Sequence, residues 1–184
     1  MPTLSLLICH LPERVAFLAR LHARLHSQLT PAVEVLIDDG DGTVGAKRNR
    51  LLARATGDFT AFIDDDDLVT VDYVPALLRT IRADPAIDCC SLQGLITVNG
   101  QSPRRFEHSL QHATWFEAHG VYYRPPNHLN AIARRHTQAV AFPDQSHGED
   151  HVWSMAIRPR LHQEAWVPEL LYEYDVRNPK VVTP

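Results

Sequence analysis

The sequence has few cysteines, no long apolar run and no large excess of either charge. Its three cysteines, among 184 residues, form no Cys-x-x-Cys pair and no disulfide-like framework, so a reducing cytoplasmic setting is expected. The chain does not open on a basic segment followed by an apolar core, and no run of about 18 apolar residues could span a bilayer. We therefore expect a soluble, cytoplasmic protein with no transmembrane segment, while peripheral attachment to the inner membrane surface stays open.

The charge balance limits the classes of partner. A formal net charge of -4 and a pI near 6.2 argue against wholesale binding to nucleic acid. Local basic clusters such as Lys47-Arg48 and Arg104-Arg105 could still contact phosphates. The chain contains no internal repeat, low-complexity tract or linker, and its length and 45% hydrophobic content predict one domain over residues 1–184.

Apolar runs typical of buried strands alternate with apolar helical stripes along the first half of the chain. The strands are predicted at 3–9, 33–37 and 59–63, and the helices at 13–29, 44–55 and 72–81. This alternation predicts an α/β fold with a mostly parallel sheet flanked by helices, and it places ligands at the carboxyl ends of the strands.

The second half of the chain is less regular and predicts a smaller mixed region. The predicted elements are one strand over 87–98, a turn at Asn99-Gly100, a loop or edge hairpin over 104–120, a short strand at 129–133, a helix at 152–157, and strand character at 165–167 and 170–176.

The most informative stretch is Asp64 to Asp67, four consecutive carboxylates directly after the third predicted strand. Their mutual repulsion would be costly unless a cation or a polyhydroxyl ligand lay among them. Hard divalent cations such as Mg²⁺ and Mn²⁺ prefer oxygen ligands, usually one or two carboxylates together with substrate phosphates. The stretch therefore predicts a cation site and a phosphorylated substrate; the alternative is a solvated acidic turn that caps the next helix.

Further motifs accompany this acidic stretch in a fixed order. They are Leu4 to Cys9, Ile37-Asp38-Asp39-Gly40, Gly45 to Asn49, Gly57-Asp58, Phe62 to Asp67, Arg124 to Asn130, and Gly148-Glu149-Asp150. Together they resemble the family-two nucleotide-sugar glycosyltransferases of the GT-A fold. The resemblance implies a Rossmann-like sheet, with a nucleotide-binding half over 1–100 and an acceptor half over 101–184.

The resemblance also implies how the acids after the third strand act. Asp64 and Asp66 correspond to the DxD pair, with Asp66 as the direct ligand of Mn²⁺ or Mg²⁺. Asp65 is expected to hydrogen-bond the ribose of the nucleotide. Asp67 is expected instead to stabilise the N-terminus of the following helix.

Other nucleotide-sugar contacts are implied at the ends of the first two strands and on the second helix. Asp39 is expected to accept the N3–H of uracil, and Asp38 to be structural, although both could be simple turn residues. A calcium loop is excluded there, because the acids that such a loop needs are missing. Arg48 is expected near the diphosphate or base, unless it belongs to a solvated helix face, and Cys9 lies among the nucleotide-sugar contacts.

The same resemblance implies an inverting transfer with Asp150 as general base. A sugar hydroxyl is too weak an acid to ionise at neutral pH, so proton removal must accompany attack. Glu149 would orient the base or bind the acceptor, although both acids could merely favour the helix N-terminus. His128 and His151 are expected in the metal shell or at the acceptor, and ordinary structural roles are the alternative for both.

The expected function is therefore transfer of a sugar, of hexosyl or N-acetylhexosaminyl type, from a UDP-sugar to a carbohydrate, glycolipid or other hydroxyl acceptor in cell-surface polysaccharide biosynthesis. A catalytically idle nucleotide-sugar or carbohydrate binding module is the first rival, because the chain is short. A nucleotidyltransferase is the second. It commonly carries a glycine-rich basic loop after the first strand, where this chain has Cys9 to Arg14.

Overall fold

The computed structural model describes residues 3–176 and contains two six-stranded sheets together with helices. The strands are β1 (Leu4–Cys9), β2 (Val33–Asp38), β3 (Phe59–Phe62), β4 (Leu68–Val69), β5 (Cys89–Cys90), β6 (Leu92–Val98), β7 (Gln101–His108), β8 (Phe116–Ala118), β9 (Val121–Arg124), β10 (Ile132–Ala133), β11 (Glu164–Ala165) and β12 (Leu170–Val176). The α-helices are α1 (Val15–His26), α2 (Val44–Arg54), α3 (Tyr73–Ala83), α4 (Arg134–Thr137) and α5 (Glu149–Ile157). No helix within residues 3–176 is long and apolar enough to cross a bilayer.

The first sheet has the strand order β11-β5-β10-β3-β1-β2 and contains the predicted parallel core. β1 lies parallel to both β2 and β3, with Cys9 opposite Asp38 and Leu7 opposite Phe62. β10 runs antiparallel to its neighbours β3 and β5, so the sheet is mostly and not wholly parallel, as predicted. Because parallel strands end at one edge, the segments after β1, β2 and β3 meet there.

The apolar run of β1 is continuous because helices and loops cover both faces of the first sheet. Leu6 and Ile8 pack into one buried cluster with residues of α1 and α3. Leu7, on the opposite face, packs with Leu51 of α2 and Trp153 of α5. Alternate side chains of a strand point to opposite faces, so the central strand contributes to two cores.

The second sheet has the order β4-β12-β6-β7-β9-β8 and corrects one predicted strand. The segment 87–98 is two strands, because the chain leaves the first sheet at Ser91 and enters the second at Leu92. The backbone of Ser91 bonds to Ala165, and its hydroxyl accepts a hydrogen bond from the Val167 N–H. The turn at Asn99-Gly100 is confirmed, with positive φ at both residues, and joins β6 to β7.

Three other predicted boundaries differ from the structure. The predicted loop over 104–120 begins as strand β7, which pairs with both β6 and β9. The predicted strand over 129–133 shortens to β10, because Asn127 and Asn130 form a turn closed by hydrogen bonds between them. Helix α5 begins earlier than predicted, at Glu149.

Close packing of β6 against its neighbours gives a stability prediction at Gly94. A methyl group there would lie 2.2 Å from the Tyr172 carbonyl oxygen and 2.5 Å from the Phe106 ring. We expect Gly94→Ala to lower the free energy of unfolding by about 1–3 kcal/mol, measured by urea denaturation. Val98→Ala is the control on the same strand, because Val98 is 50% exposed, and we expect a change within about 0.5 kcal/mol. Equal stability of Gly94→Ala and the unsubstituted protein would contradict this packing.

Candidate active site

Two cavities adjoin the edge where β1, β2 and β3 end. The large cleft has a volume of about 560 Å³. Its polar lining includes Arg14, Lys47, Arg48, Asp64, Asp66 and Glu149. The inner cavity is smaller, about 50 Å³. Its polar lining is Asp64, His108, Arg124, Asn127, His128, Asp150 and Tyr174. Asp64 lines both cavities and therefore lies on the wall between them.

The carboxylate of Asp64 is 27% exposed and is held between two cationic or polar partners. The Arg48 guanidinium donates to Asp64 Oδ1 at 3.1 Å, and His128 Nε2 lies 3.6 Å from Oδ2. Burial alone would raise the pKa of Asp64, but Arg48 and His128 outweigh it and hold the pKa well below its usual range. Asp64 is therefore ionised at neutral pH.

Asp65 is fixed to the segment that follows β1. Its side chain is buried, and both of its oxygens are already engaged by the protein. His10 Nδ1 lies 2.8 Å from Oδ2, the Leu11 N–H donates to the same oxygen, and Arg14 donates to Oδ1 at 3.0 Å. These contacts position the acidic loop, Asp64 to Asp67. The predicted ribose contact of Asp65 stays a prediction.

Asp66 and Asp64 are the two acids of this loop that could share a cation. Asp66 is 20% exposed, with Arg14 Nη1 3.0 Å from its Oδ1. Burial and the negative charges of Asp64 and Asp65 raise the pKa of Asp66, against the opposing effect of Arg14. A bound cation would relieve this crowding of like charge.

The carboxylates fit a metal site that a substrate completes, and not one built from protein ligands alone. Within residues 3–176 no group of three or more His, Cys, Asp or Glu side chains is arranged to hold a metal. Of the acids that line the large cleft, Asp64 and Asp66 belong to the acidic loop together with Asp65, whose two oxygens are already engaged by the protein. Hard divalent cations commonly take one or two carboxylates, with phosphate oxygens and water as their other ligands.

The prediction that Asp67 stabilises a helix N-terminus is wrong. The alternative interpretation, in which Asp64 to Asp67 form a solvated turn that caps the next helix, is wrong as well. α3 begins only at Tyr73, with Asp72 as its N-cap. Asp67 is buried and accepts a hydrogen bond from the Tyr172 hydroxyl at 2.9 Å. Burial and the charges of Asp64 and the adjacent Asp66 raise its pKa well above the usual range. Asp67 thus ties the acidic loop to β12.

The two acids at the carboxyl end of β2 differ in burial: Asp38, its last residue, is buried, and Asp39, the next residue, is exposed. Arg50 donates two hydrogen bonds to Asp38, at 2.8 and 2.7 Å, and these bonds lower the pKa of Asp38. This pairing agrees with the structural role expected for Asp38. Asp39 is exposed and lines neither cavity. Its contact with uracil stays a prediction.

Arg48 and Lys47 do not belong to a solvated helix face. Arg48 is 4% exposed, and its guanidinium lies 5.2 Å from the centre of the Phe62 ring. Its Nη2 is 3.4 Å from Glu149 Oε1, whereas Nε and Nη1 have no hydrogen-bond partner within residues 3–176. Lys47 is buried and donates to the His10 carbonyl at 2.7 Å. Nε and Nη1 of Arg48 are therefore buried nitrogens whose hydrogen-bonding capacity the described residues do not meet.

Cys9 lies on the wall of the large cleft at the end of β1. Burial is the largest influence on its thiol and raises the pKa of Cys9 to about 12. The side chain is therefore a neutral thiol at physiological pH, and its predicted contact with the nucleotide-sugar would be a packing contact.

The first turn of α5 directs two neighbouring acids to different cavities. The helix follows Gly148, whose left-handed φ of 74° suits glycine. Glu149 is buried and faces the large cleft beside Arg48, whereas Asp150 lines the inner cavity. A favourable interaction with the helix dipole explains acids in this turn but not their division between two cavities.

The two predicted histidines occupy different environments. His128 is buried against the Phe62 ring, and neither ring nitrogen has a hydrogen-bond partner within the described chain. His151 is exposed, with its ring centroid 4.9 Å from that of Trp115, and it lines neither cavity. The structure thus brings His128, but not His151, next to Asp64.

Several side chains that line or support the site were missed by the sequence reasoning. They are His10 and Arg14 after β1, Tyr172 and Tyr174 on β12, and His108 beside the inner cavity. Arg124 and Asn127 belong to the motif Arg124 to Asn130, which the sequence analysis named without assigning these two residues a role. Only His10 and Arg14 carried a usable signal, because they follow the carboxyl end of a predicted central strand.

The family can be decided from the sequence match. The model of glycosyl transferase family 2 matches residues 18–146, which is more than half of the chain. This chain belongs to glycosyl transferase family 2. No curated protein matches it.

Solved structures place this family 2 chain in the GT-A fold. A crystal structure of Staphylococcus aureus TarS residues 1–349 has a TM-score of 0.67 and 17% identity, and the match covers 95% of this chain and 60% of that one. The same TarS segment in complex with UDP-GlcNAc has a TM-score of 0.66 and 17% identity, with 97% and 59% covered. The chain thus spans about 60% of these TarS chains. The TM-scores confirm the predicted α/β architecture of the GT-A type.

Proposed function

We propose that the chain is a metal-dependent, inverting glycosyltransferase that moves a sugar from a UDP-sugar to an acceptor hydroxyl. The observation that carries this proposal is the position of Asp64 on the wall between the two cavities. Arg48 and Asp66 lie on one side of it, and Asp150 lies on the other. This division supports a diphosphate in the large cleft, with the transferred sugar at the shared wall. The reported TarS complexes with UDP-GlcNAc and UDP support a uridine nucleotide.

The large cleft would hold the nucleotide. Asp66 and Asp64 would bind Mn²⁺ or Mg²⁺, which would neutralise charge on the departing diphosphate. Arg48, which lines the same cleft, would contact the same oxygens and stabilise the charge that develops there. Asp39 would accept the uracil N3–H, and Cys9 and Asp65 would complete the nucleotide-sugar contacts.

Asp150 would act as general base. It would take the proton of the acceptor hydroxyl as that oxygen attacks the anomeric carbon, while the bond from this carbon to the diphosphate oxygen breaks. Attack opposite the leaving group inverts the anomeric centre and needs no covalent enzyme intermediate. Glu149 would hold Arg48, His128 would position Asp64, and His151 would contact the acceptor.

The acceptor would be a carbohydrate, glycolipid or other hydroxyl compound of cell-surface polysaccharide synthesis, and the transferred sugar would be of hexosyl or N-acetylhexosaminyl type. We place the chain in the cytoplasm, either free or attached peripherally at the inner membrane surface, as one domain whose halves over 1–100 and 101–184 bind nucleotide and acceptor. A catalytically idle binding module is the second candidate, because Asp150 does not line the large cleft in which the nucleotide would bind.

Thermal unfolding with nucleotides tests the donor and the metal together. We expect UDP with Mn²⁺ to raise the midpoint temperature more than UDP alone or ADP, because a ligand of the native state at about 100 times its Kd adds roughly 2.7 kcal/mol of stability. Asp66→Ala should remove the Mn²⁺-dependent part of this increase. Asp41→Ala, an exposed acid outside the acidic loop, is the matched control and should keep it.

The outcomes separate the two candidate functions. UDP release from a UDP-sugar, with or without added acceptor, would support the enzyme. Stabilisation by UDP-sugars with no release under any condition would favour the binding module. No stabilisation by any uridine nucleotide would reject the proposed donor.

A further inference from the structure

The inner cavity is lined by buried polar groups that lack hydrogen-bond partners among the described residues. Asn127 is 1% exposed, and its Oδ1 accepts from the Leu129 N–H at 3.0 Å, which leaves Nδ2 without a partner within residues 3–176. His108 is equally buried and lies beside the side chains of Asn127 and Asn130, but its Nδ1 makes no hydrogen bond of normal geometry within the same region. Buried polar groups without partners are rare and costly, so these two side chains indicate a ligand.

Arg124 adds a fixed positive charge to this lining. Its guanidinium lies 4.0 Å from the centre of the Trp115 ring and makes no ion pair with residues 3–176. Two acids line the same cavity: Asp64 is already paired with Arg48 at 3.1 Å, and Asp150 favours the charged form of Arg124 without forming an ion pair with it within residues 3–176. Burial lowers the pKa of Arg124, but an arginine stays charged at neutral pH. A charge removed from water in this way is stabilised best by an anion.

The size of the cavity limits which part of a ligand can enter. About 50 Å³ accommodates one substituent and not a sugar ring. If Asp150 is the base, the reacting carbon of the sugar lies beside the inner cavity, which Asn127 and His108 also line, so that a substituent of the same ring can enter it. This step rests on the proposed function.

We propose that the inner cavity binds the carboxylate of a hexuronic acid, so that the donor is a UDP-hexuronate. A carboxylate offers acceptor lone pairs on two oxygens, which match the amide of Asn127 and the forked donors of Arg124. His108 can donate the remaining hydrogen bond. A hydroxymethyl group carries no charge to pair with Arg124.

An acetamido group is the strongest competing substituent. Its methyl could pack on Phe106 and Leu129, which form part of the apolar lining. It brings no charge for Arg124, however, and it adds an N–H donor to a cavity whose unpaired groups include the donor amide of Asn127. The experiment must therefore compare uronate, neutral and acetamido sugars directly.

Calorimetric titration in the presence of Mn²⁺ would measure the Kd of UDP, UDP-glucuronate, UDP-galacturonate, UDP-glucose and UDP-GlcNAc. We expect at least one uronate to bind roughly 10- to 100-fold more tightly than UDP-glucose, because charge-assisted hydrogen bonds are the strong ones. Arg124→Met should abolish this ratio and leave the Kd of UDP unchanged. Asn127→Asp places a carboxylate against that of the uronate and should therefore reverse the preference for the uronate over UDP-glucose. This variant tests the proposal if Arg124→Met does not fold.

Arg104→Met is the matched control. Arg104 also stacks on an aromatic ring, that of Tyr122 at 4.3 Å, but it does not line the inner cavity. It should keep the uronate preference. Equal or tighter binding of UDP-glucose or UDP-GlcNAc would overturn the carboxylate assignment while leaving the proposed function intact. Absence of UDP binding would overturn both.

Discussion

Asp150→Asn is expected to abolish sugar transfer while Mn²⁺-dependent binding of UDP stays close to that of the unsubstituted protein. The amide keeps the size of the side chain but cannot take a proton, and loss of general base catalysis typically costs about 10²- to 10⁴-fold in rate. Asp150 lines the inner cavity and not the large cleft, so that the nucleotide contacts should survive. Initial rates of UDP release with an acceptor, and the Kd of UDP by calorimetry, measure the two effects separately.

Two further variants test whether the loss of transfer is specific to Asp150. Glu149→Gln removes a charge that lies 3.4 Å from Arg48, so it should weaken UDP binding as well as transfer. Asp144→Asn alters an exposed acid just before α5 that bonds Thr43, and it should behave like the unsubstituted protein. Undiminished transfer by Asp150→Asn would refute the assignment of the base. Equal loss of transfer and UDP binding would instead indicate a positioning role.

The first sheet and the large cleft were predictable because local sequence patterns determine them. The continuous apolar run of β1 marks a strand covered on both faces, and the helical stripes mark the crossovers between parallel strands. Parallel strands connected in this way end at one edge, which brings Asp64 and Cys9 into the same cleft. The helix that carries Arg48 lies against the same edge.

The inner cavity was not predictable, since it depends on pairings between distant segments. Arg124 and His108 reach it only because β9 pairs with β7, and β7 with β6. Nothing in the local sequence marks the point at Ser91 where the chain changes sheets. Asp67 was misjudged for the same reason. Its partner, Tyr172, comes from the antiparallel pairing of β12 with β4.

Arg48→Met is expected to lower the free energy of unfolding by about 3–5 kcal/mol at neutral pH, because removing one partner of a buried ion pair leaves the other charge uncompensated. The buried guanidinium of Arg48 has two acidic partners, Asp64 and Glu149. Asp64 is 27% exposed, so water partly solvates the charge left behind and favours the lower end of this range. Arg54→Met, an exposed arginine of the same helix, should change the free energy by no more than about 0.5 kcal/mol.

The effect of Arg48→Met should depend on pH with a definite sign. The folded-state pKa of Asp64 lies below its ordinary value of 3.8, so its stabilising contribution is complete above that value and is lost as pH falls through the folded pKa. Without Arg48 the pKa of Asp64 rises, because the largest opposing influence to burial is removed. The difference in unfolding free energy between the two proteins, from urea titrations, should therefore be largest near pH 7 and shrink below about pH 4. A difference that stays constant with pH would show that Arg48 stabilises the fold through its packing between Phe62 and Phe142, and not through charge.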